Sequence, residues 1–250
     1  MSNNIQYNSS LLSNYFQTFR VKWDQFYPSE QKIITDLDPN KDSKILDIGC
    51  GCGGLGLALS GKFGVKDYTG IDINEDAIQK GKELSPQSKL ISGDILQISE
   101  DKIGSEKFDI VFSLSCVDWN LEFKKMLDAS WNYVKEGGYL VSTFRLTTGE
   151  SLFKLEDSFQ YINFDGKLEG EKAAYVVLNF SELCNLLFEY SPEEVNAYGY
   201  WGKPSSTAVM KYSSLCFAAF AIKKQKSLNK NNLNLNLDLP LELIHSLVKN

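Results

Sequence analysis

The sequence predicts an α/β fold, a mostly parallel sheet with helices on both faces, and two observations carry that expectation. From Ser43 onward, short apolar runs of strand length alternate with helical patterns; strands joined through helices run parallel and are covered on both sides. The first of these runs feeds a loop with glycine at 49, 51, 53, 54 and 56. Backbone so poor in side chains is what open α/β sheets place at the carboxyl ends of their strands, where ligands approach. With 250 residues, 43% hydrophobic and 23% charged, the chain can bury one sizeable core, and its composition excludes wholesale disorder.

Taken in order, residues 11–34 place Leu11, Leu12, Tyr15, Phe16, Phe19, Trp23, Phe26 and Tyr27 at spacings of mostly three and four, an amphipathic helix broken near Pro28. Residues 1–42 are expected to form an aromatic helical lid. Strands are expected at 44–48, 67–71, 89–92, 108–114 and 139–144, with helices at 55–62, 75–84 and 121–134 between them. Glu136, Gly137 and Gly138 supply the turn after the last helix. Residues 146–179 carry Phe153, Phe159, Tyr161, Phe164 and Tyr175 without a single period and read as an insertion. Ser181 then resembles an N-cap for a helix through Leu183, Leu186, Leu187 and Tyr190 that stops before Pro192. Closing strands at 195–200 and 215–222 complete a domain spanning 43–225. The Asn/Leu-rich tail at 226–250 reads as a linker followed by a short apolar segment.

The net charge of -6 argues against the broad basic surface that nucleic acid requires. No apolar run approaches the roughly 20 residues that cross a bilayer, and no signal-peptide pattern opens the chain, so a soluble cytoplasmic protein is expected. Its five cysteines, an odd number, fit free thiols. Cys50 and Cys52 have no second pair nearby and the chain has a single histidine, so no metal site is expected.

The chemistry centres on the string KILDIGCGCGGLG at 44–56. Gly49, Gly51 and Gly54 satisfy the GxGxxG spacing of NAD-binding domains, which keeps an NAD-dependent oxidoreductase in view. Asp47 ahead of the glycines and Ser92-Gly-Asp-Ile95 after the third strand weigh against it, while Tyr68-Thr-Gly-Ile-Asp-Ile-Asn74 ends a strand in a carboxylate whose ribose-binding role suits NAD and SAM alike. With Phe108-Asp-Ile-Val-Phe-Ser-Leu114 and Val134-Lys-Glu-Gly-Gly-Tyr-Leu-Val141, these resemble, in order, the motifs of class I S-adenosylmethionine (SAM)-dependent methyltransferases. The resemblance covers roughly residues 43–145 and 181–224. It implies a Rossmann-like seven-stranded sheet in the order 3-2-1-4-5-7-6, the last strand antiparallel. It also implies SAM as cofactor, with Asp47, Gly49, Cys50 and Gly51 in the first motif and Asp72 with Ile73 at the ribose. Asp94 with Ile95 would meet the adenine, and Ser113, in the fourth-strand motif, would also contact the cofactor.

A SAM methyl group arrives activated, so positioning supplies much of the rate and a dedicated base is optional. The only histidine, His245, lies in the tail; Asp118, in the segment after the fourth strand, is the candidate base or orienter, or else a helix N-cap. That segment, Ser115-Cys-Val-Asp-Trp-Asn120, lacks the signatures of nucleic-acid methyltransferases, and Cys116 is expected to pack. A small-molecule acceptor, a sugar or other metabolite, is therefore expected. Trp23, Tyr27, Trp119, Arg145, Tyr161, Tyr200 and Trp201 are the candidate acceptor contacts, and Arg20 a candidate for the SAM carboxylate. A non-catalytic SAM-binding protein, or one using SAM for other chemistry, are the remaining alternatives.

Overall fold

The computed structural model describes residues 10–163, 165–226 and 233–248. The chain opens with α1 (Ser10–Thr18), a 3-10 turn (Trp23–Gln25) and α2 (Pro28–Leu37). The expected alternation follows: β1 (Lys44–Ile48), α3 (Gly54–Phe63), β2 (Asp67–Asp72), α4 (Glu75–Leu84), β3 (Lys89–Ser92), α5 (Glu100–Ile103), β4 (Phe108–Ser113), α6 (Phe123–Tyr133) and β5 (Val134–Thr147). Three short strands, β6 (Phe159–Tyr161), β7 (Lys172–Ala174) and β8 (Leu178–Asn179), lead to α7 (Phe180–Glu189). Then come β9 (Glu194–Gly202), β10 (Ala208–Val209), β11 (Leu215–Lys223), β12 (Asn234–Asp238) and α8 (Leu241–Val248).

The main sheet runs β3-β2-β1-β4-β5-β11-β9-β12, with β11 antiparallel to both neighbours. The implied order 3-2-1-4-5-7-6 is present, β9 and β11 standing as its sixth and seventh strands. Two additions depart from it: β12 pairs parallel with β9 at the edge, and the two-residue β8 pairs with β5. Adjacent residues of β1 show why both faces must be covered. Ile45 packs into one hydrophobic cluster and Leu46 into another on the opposite face, and both are fully buried.

Four local expectations differ from the structure. The lid does not break near Pro28; its first helix ends at Thr18, and Arg20 turns the chain at φ 63°, while Pro28 starts α2, where its missing N–H costs nothing. Glu136, Gly137 and Gly138 form no turn after a helix but lie within β5, where Gly137 takes φ 75° and the register against β4 shifts. Asn179, not Ser181, caps α7, its side chain accepting hydrogen bonds from the N–H groups of Ser181 and Glu182. In the tail, Asn234–Asp238 is a strand instead of a linker: the Asn/Leu alternation has a strand's period of two. Residues 227–232 of that tail and Phe164 lie outside the described residues.

Residues 146–179 contribute β6 and β7, which join β10 in a small separate sheet. This sheet stands beside the carboxyl ends of the parallel strands, and α1 lies on their other flank against α4, where Lys80 donates to Ser13 and Asn14. The Arg20 carbonyl rests on Gly54 so closely that a Cβ there would come within 2.1 Å of its oxygen. Gly54→Ala should therefore lower stability by about 1–3 kcal/mol through overpacking, although alanine is the better helix former by about 1 kcal/mol. Urea unfolding measures this, and a stabilised variant would place the lid segment elsewhere.

Candidate functional site

The carboxyl ends of β1 to β5 open onto a cavity of about 680 Å³, in the range of small-molecule sites. Gly49 and Gly51, with Asp72 and Ile73 and then Asp94 and Ile95, line the side formed by β1, β2 and β3. Asp118, Trp119, Arg145, Tyr175, Tyr200 and Phe217 line the side below β4, β5, β11 and β9. Tyr15 and Phe16 from α1, and Gln160, Ile162 and Asn163 from the insertion, complete the wall.

Asp72 joins the first two motifs. Its Oδ2 accepts from the Gly51 N–H at 2.7 Å and its Oδ1 from the Asn74 N–H at 2.8 Å, which fixes the glycine loop against the end of β2. The Gly49 and Cys50 N–H groups reinforce the joint by donating to the Ile71 carbonyl, at 2.8 and 3.1 Å. Loss of solvent raises the Asp72 pKa, while the two backbone donors pull it back. A carboxylate offers about four lone-pair positions, so acceptor capacity remains on the cavity side. Gly49, Gly51 and Gly53 all take positive φ, and a Cβ on Gly51 would press on the Phe16 ring at 3.0 Å. Asp94 shapes the next turn: its Oδ1 accepts from the Leu96 N–H and its Oδ2 from the Gln97 amide.

Asp47 sits behind the glycine loop, outside the cavity wall, and is 4% exposed. Burial pushes its carboxyl up to about 7, against the pull of the Tyr68 hydroxyl, which donates at 2.6 Å, and of the Arg20 charge. Cys50 and Ser113 also lie behind the wall; the Cys50 sulfur fills the space beside Gly70 and Ser113 is fully buried.

Arg20 lines the cavity but is already engaged. Its guanidinium grips Glu30 bidentately at 3.1 and 2.9 Å and lies over the Phe26 ring. Glu30, fully buried, also accepts from the Tyr27 N–H, so one carboxylate pins the lid's bend.

On the opposite side, Arg145 is 5% exposed; it donates to the Asp118 carbonyl at 2.6 Å and pairs with Asp118 Oδ2 at 3.3 Å. Its guanidinium stacks on Tyr175 and Trp119, 3.6 and 4.4 Å from the ring centroids. Asp118 is 6% exposed, and its Oδ1 accepts no hydrogen bond among the described residues. Burial raises its pKa, with Arg145 opposing. Asp118 does not cap α6, whose N-cap position is Glu122, without a side-chain hydrogen bond. Ser115, between β4 and Asp118, takes φ 49°, a conformation seldom adopted without glycine, and its N–H donates to Thr143 Oγ1 at 2.6 Å.

Three expected acceptor contacts do not reach the cavity. Trp23 packs edge-on against Phe63 on the outer side of the lid. Tyr161 turns toward Phe159 and Lys172, because alternation along β6 gives the cavity Gln160 instead. Trp201 is 38% exposed and donates to Glu242, for the same reason on β9, where Tyr200 faces inward. Tyr27, Trp119, Arg145 and Tyr200 do line it. Tyr15, Phe16, Tyr175, Phe217 and Lys203 were not foreseen as wall residues. The aromatic spacing of α1 signalled the first two; no local pattern marked the others.

A family model described as a methyltransferase domain matches residues 39–197. Phosphoethanolamine N-methyltransferase of Plasmodium falciparum is 31% identical over 118 residues, 45% of this chain and 43% of that protein. Demethylmenaquinone methyltransferase of Staphylococcus aureus is 29% identical over 126 residues, 48% of this chain and 51% of its own. The chain thus spans about half the length of the curated relatives it matches. The YcgJ protein of Bacillus subtilis superposes with a TM-score of 0.56 at 12% identity, over 80% of this chain and 99% of that one, a likeness of fold. Among the described residues, no cluster suits a metal ion and no helix is long and apolar enough to cross a membrane.

The Asp47 environment predicts a pH effect. Its folded pKa of about 7 exceeds the unfolded value near 3.8, so the native state holds the extra proton in between. Stability therefore falls as pH rises from about 4 to about 7, by about 4 kcal/mol at full ionisation. Urea unfolding from about pH 5 to about pH 8 should show Asp47→Asn with a flatter decline than the parent. Identical slopes would contradict the assignment.

Proposed function

Because the chain belongs to the methyltransferase-domain family, we propose that it binds SAM in this cavity and transfers the methyl group to a small-molecule acceptor held on the Asp118 side. The observation that carries the reading is Asp72, fixed by the Gly51 and Asn74 N–H groups at the cavity wall with acceptor capacity left for two ribose hydroxyls. Asp94 and Ile95 stand one strand further along, suited to the adenine's amino group and ring. The left-handed turns at Gly49 and Gly51 let the backbone approach the ligand. SAM, when bound, supplies a methyl group made electrophilic by its sulfonium.

The protein's own contribution is to orient and to exclude water. Tyr15 and Phe16 cover one flank of the cavity, while Trp119, Tyr175, Tyr200 and Phe217 give the acceptor side apolar walls with few polar groups. Arg20 closes that wall as the Glu30 ion pair, so we assign it to holding the lid, not to the SAM carboxylate. Asp47, set behind the loop with Tyr68, supports the glycine turns from below. A chain of net charge -6 with a cavity of about 680 Å³ suits a small molecule better than a nucleic acid.

Isothermal titration with SAM and with NAD tests the reading: SAM should bind and NAD should not. Asp72→Ala should weaken SAM binding by about tenfold or more, since losing a charged partner of hydroxyl groups costs roughly 1.5–3 kcal/mol. Undiminished affinity in that variant would contradict the assignment.

A further inference from the structure

The acceptor side of the cavity holds a buried carboxylate with one oxygen left over. Arg145 engages the Asp118 carbonyl and Oδ2, Val176 donates to the same carbonyl, and Oδ1 accepts no hydrogen bond among the described residues. Buried polar atoms in native proteins are ordinarily satisfied, so an unpartnered carboxylate oxygen on a residue that lines the cavity points to a donor brought by a ligand. The same cavity side offers little to an anion. Arg145 is 5% exposed and occupied by Asp118, Tyr175 and Trp119, Arg20 is taken up by Glu30, and Lys203 is exposed. Trp119 and Tyr27 already face Arg145 and Arg20, but Tyr200 and Phe217 add aromatic surface, which favours a cation over an anion.

Resting on the function proposed above, we propose that the methyl acceptor is a primary or secondary amine, its N–H directed to Asp118 Oδ1. The choice of nitrogen over oxygen follows from the groups at hand. An alcohol must surrender a far less acidic proton to a base during attack, and Asp118, the carboxylate on the acceptor side, is tied to Arg145. An amine, once its ammonium proton has passed to solvent, attacks with its own lone pair. Its nitrogen forms the bond to the methyl carbon while the carbon–sulfur bond breaks with its electron pair staying on sulfur, and the methylated ammonium then releases a proton to solvent. Positive charge thus passes from sulfur to nitrogen, toward Asp118, whose carboxylate is worth more in the transition state than before it. Arg145 is a positioning residue in this arrangement: it fixes Oδ2, leaving Oδ1 for the acceptor.

Calorimetric titration of the full chain loaded with S-adenosylhomocysteine, and of the chain without it, tests the proposal with benzylamine, benzyl alcohol and benzoate, and with ethanolamine and ethylene glycol. At least one amine should bind more than about fivefold tighter than its alcohol counterpart, and benzylamine tighter than benzoate. In Asp118→Asn that preference should disappear while affinity for S-adenosylhomocysteine stays within about twofold. Preferences of fivefold or less for both amines, tighter binding of benzoate, or an undiminished preference in Asp118→Asn would each overturn the assignment. If the variant does not fold because Arg145 is left unpaired, the titrations of the unmodified chain decide alone. Loss of S-adenosylhomocysteine binding with the amine preference intact would instead count against the cofactor reading.

Discussion

A single carboxylate holds the two halves of the first βαβ unit in register. Asp72 receives the Gly51 N–H on one oxygen and the Asn74 N–H on the other, so the bend after β1 and the start of α4 cannot move independently. Asn74 in turn caps α4 by accepting from the Ala77 N–H, and the Asp72 carbonyl accepts from Gly93 at the end of β3. Three strand ends are thereby set at one wall of the cavity. The left-handed backbone at Gly49, Gly51 and Gly53 makes this possible, because side chains there would collide with Cys116, Phe16 and Leu90.

The opposite wall is built differently, from a buried ion pair. Arg145 and Asp118 are desolvated together, an arrangement that contributes little net stability but fixes geometry. The Asp118 carbonyl ties the loop after β4 to β5 through Arg145 and to the insertion through Val176. The two walls are built in complementary ways: the β1–β3 side is closely defined by backbone hydrogen bonds, and the β4–β11 side by stacked rings around one guanidinium.

Much of this was legible in the sequence where the signal is local. Apolar strands placed β1 to β4 within about a residue, and glycine or aspartate at the ends of the first three marked Asp72 and Asp94 with them. What failed was what depends on partners distant in sequence. The Gly137 bulge reads as a turn until Lys224 is seen pairing with Gly137 and Gly138. Arg20 looks free until Glu30 folds back on it, and Trp201 looks substrate-facing until strand alternation assigns that side to Tyr200. Tyr175 and Phe217 come from the insertion and the antiparallel strand, which tertiary packing alone brings to the cavity.

The most direct measurement of the central claim is a crystal structure with S-adenosylhomocysteine bound. The account predicts both ribose hydroxyls within hydrogen-bonding distance of Asp72, the adenine between Asp94 and Ile95, and the sulfur turned toward the Asp118 side. An adenosine found away from Asp72, or a sulfur turned from Asp118, would contradict it.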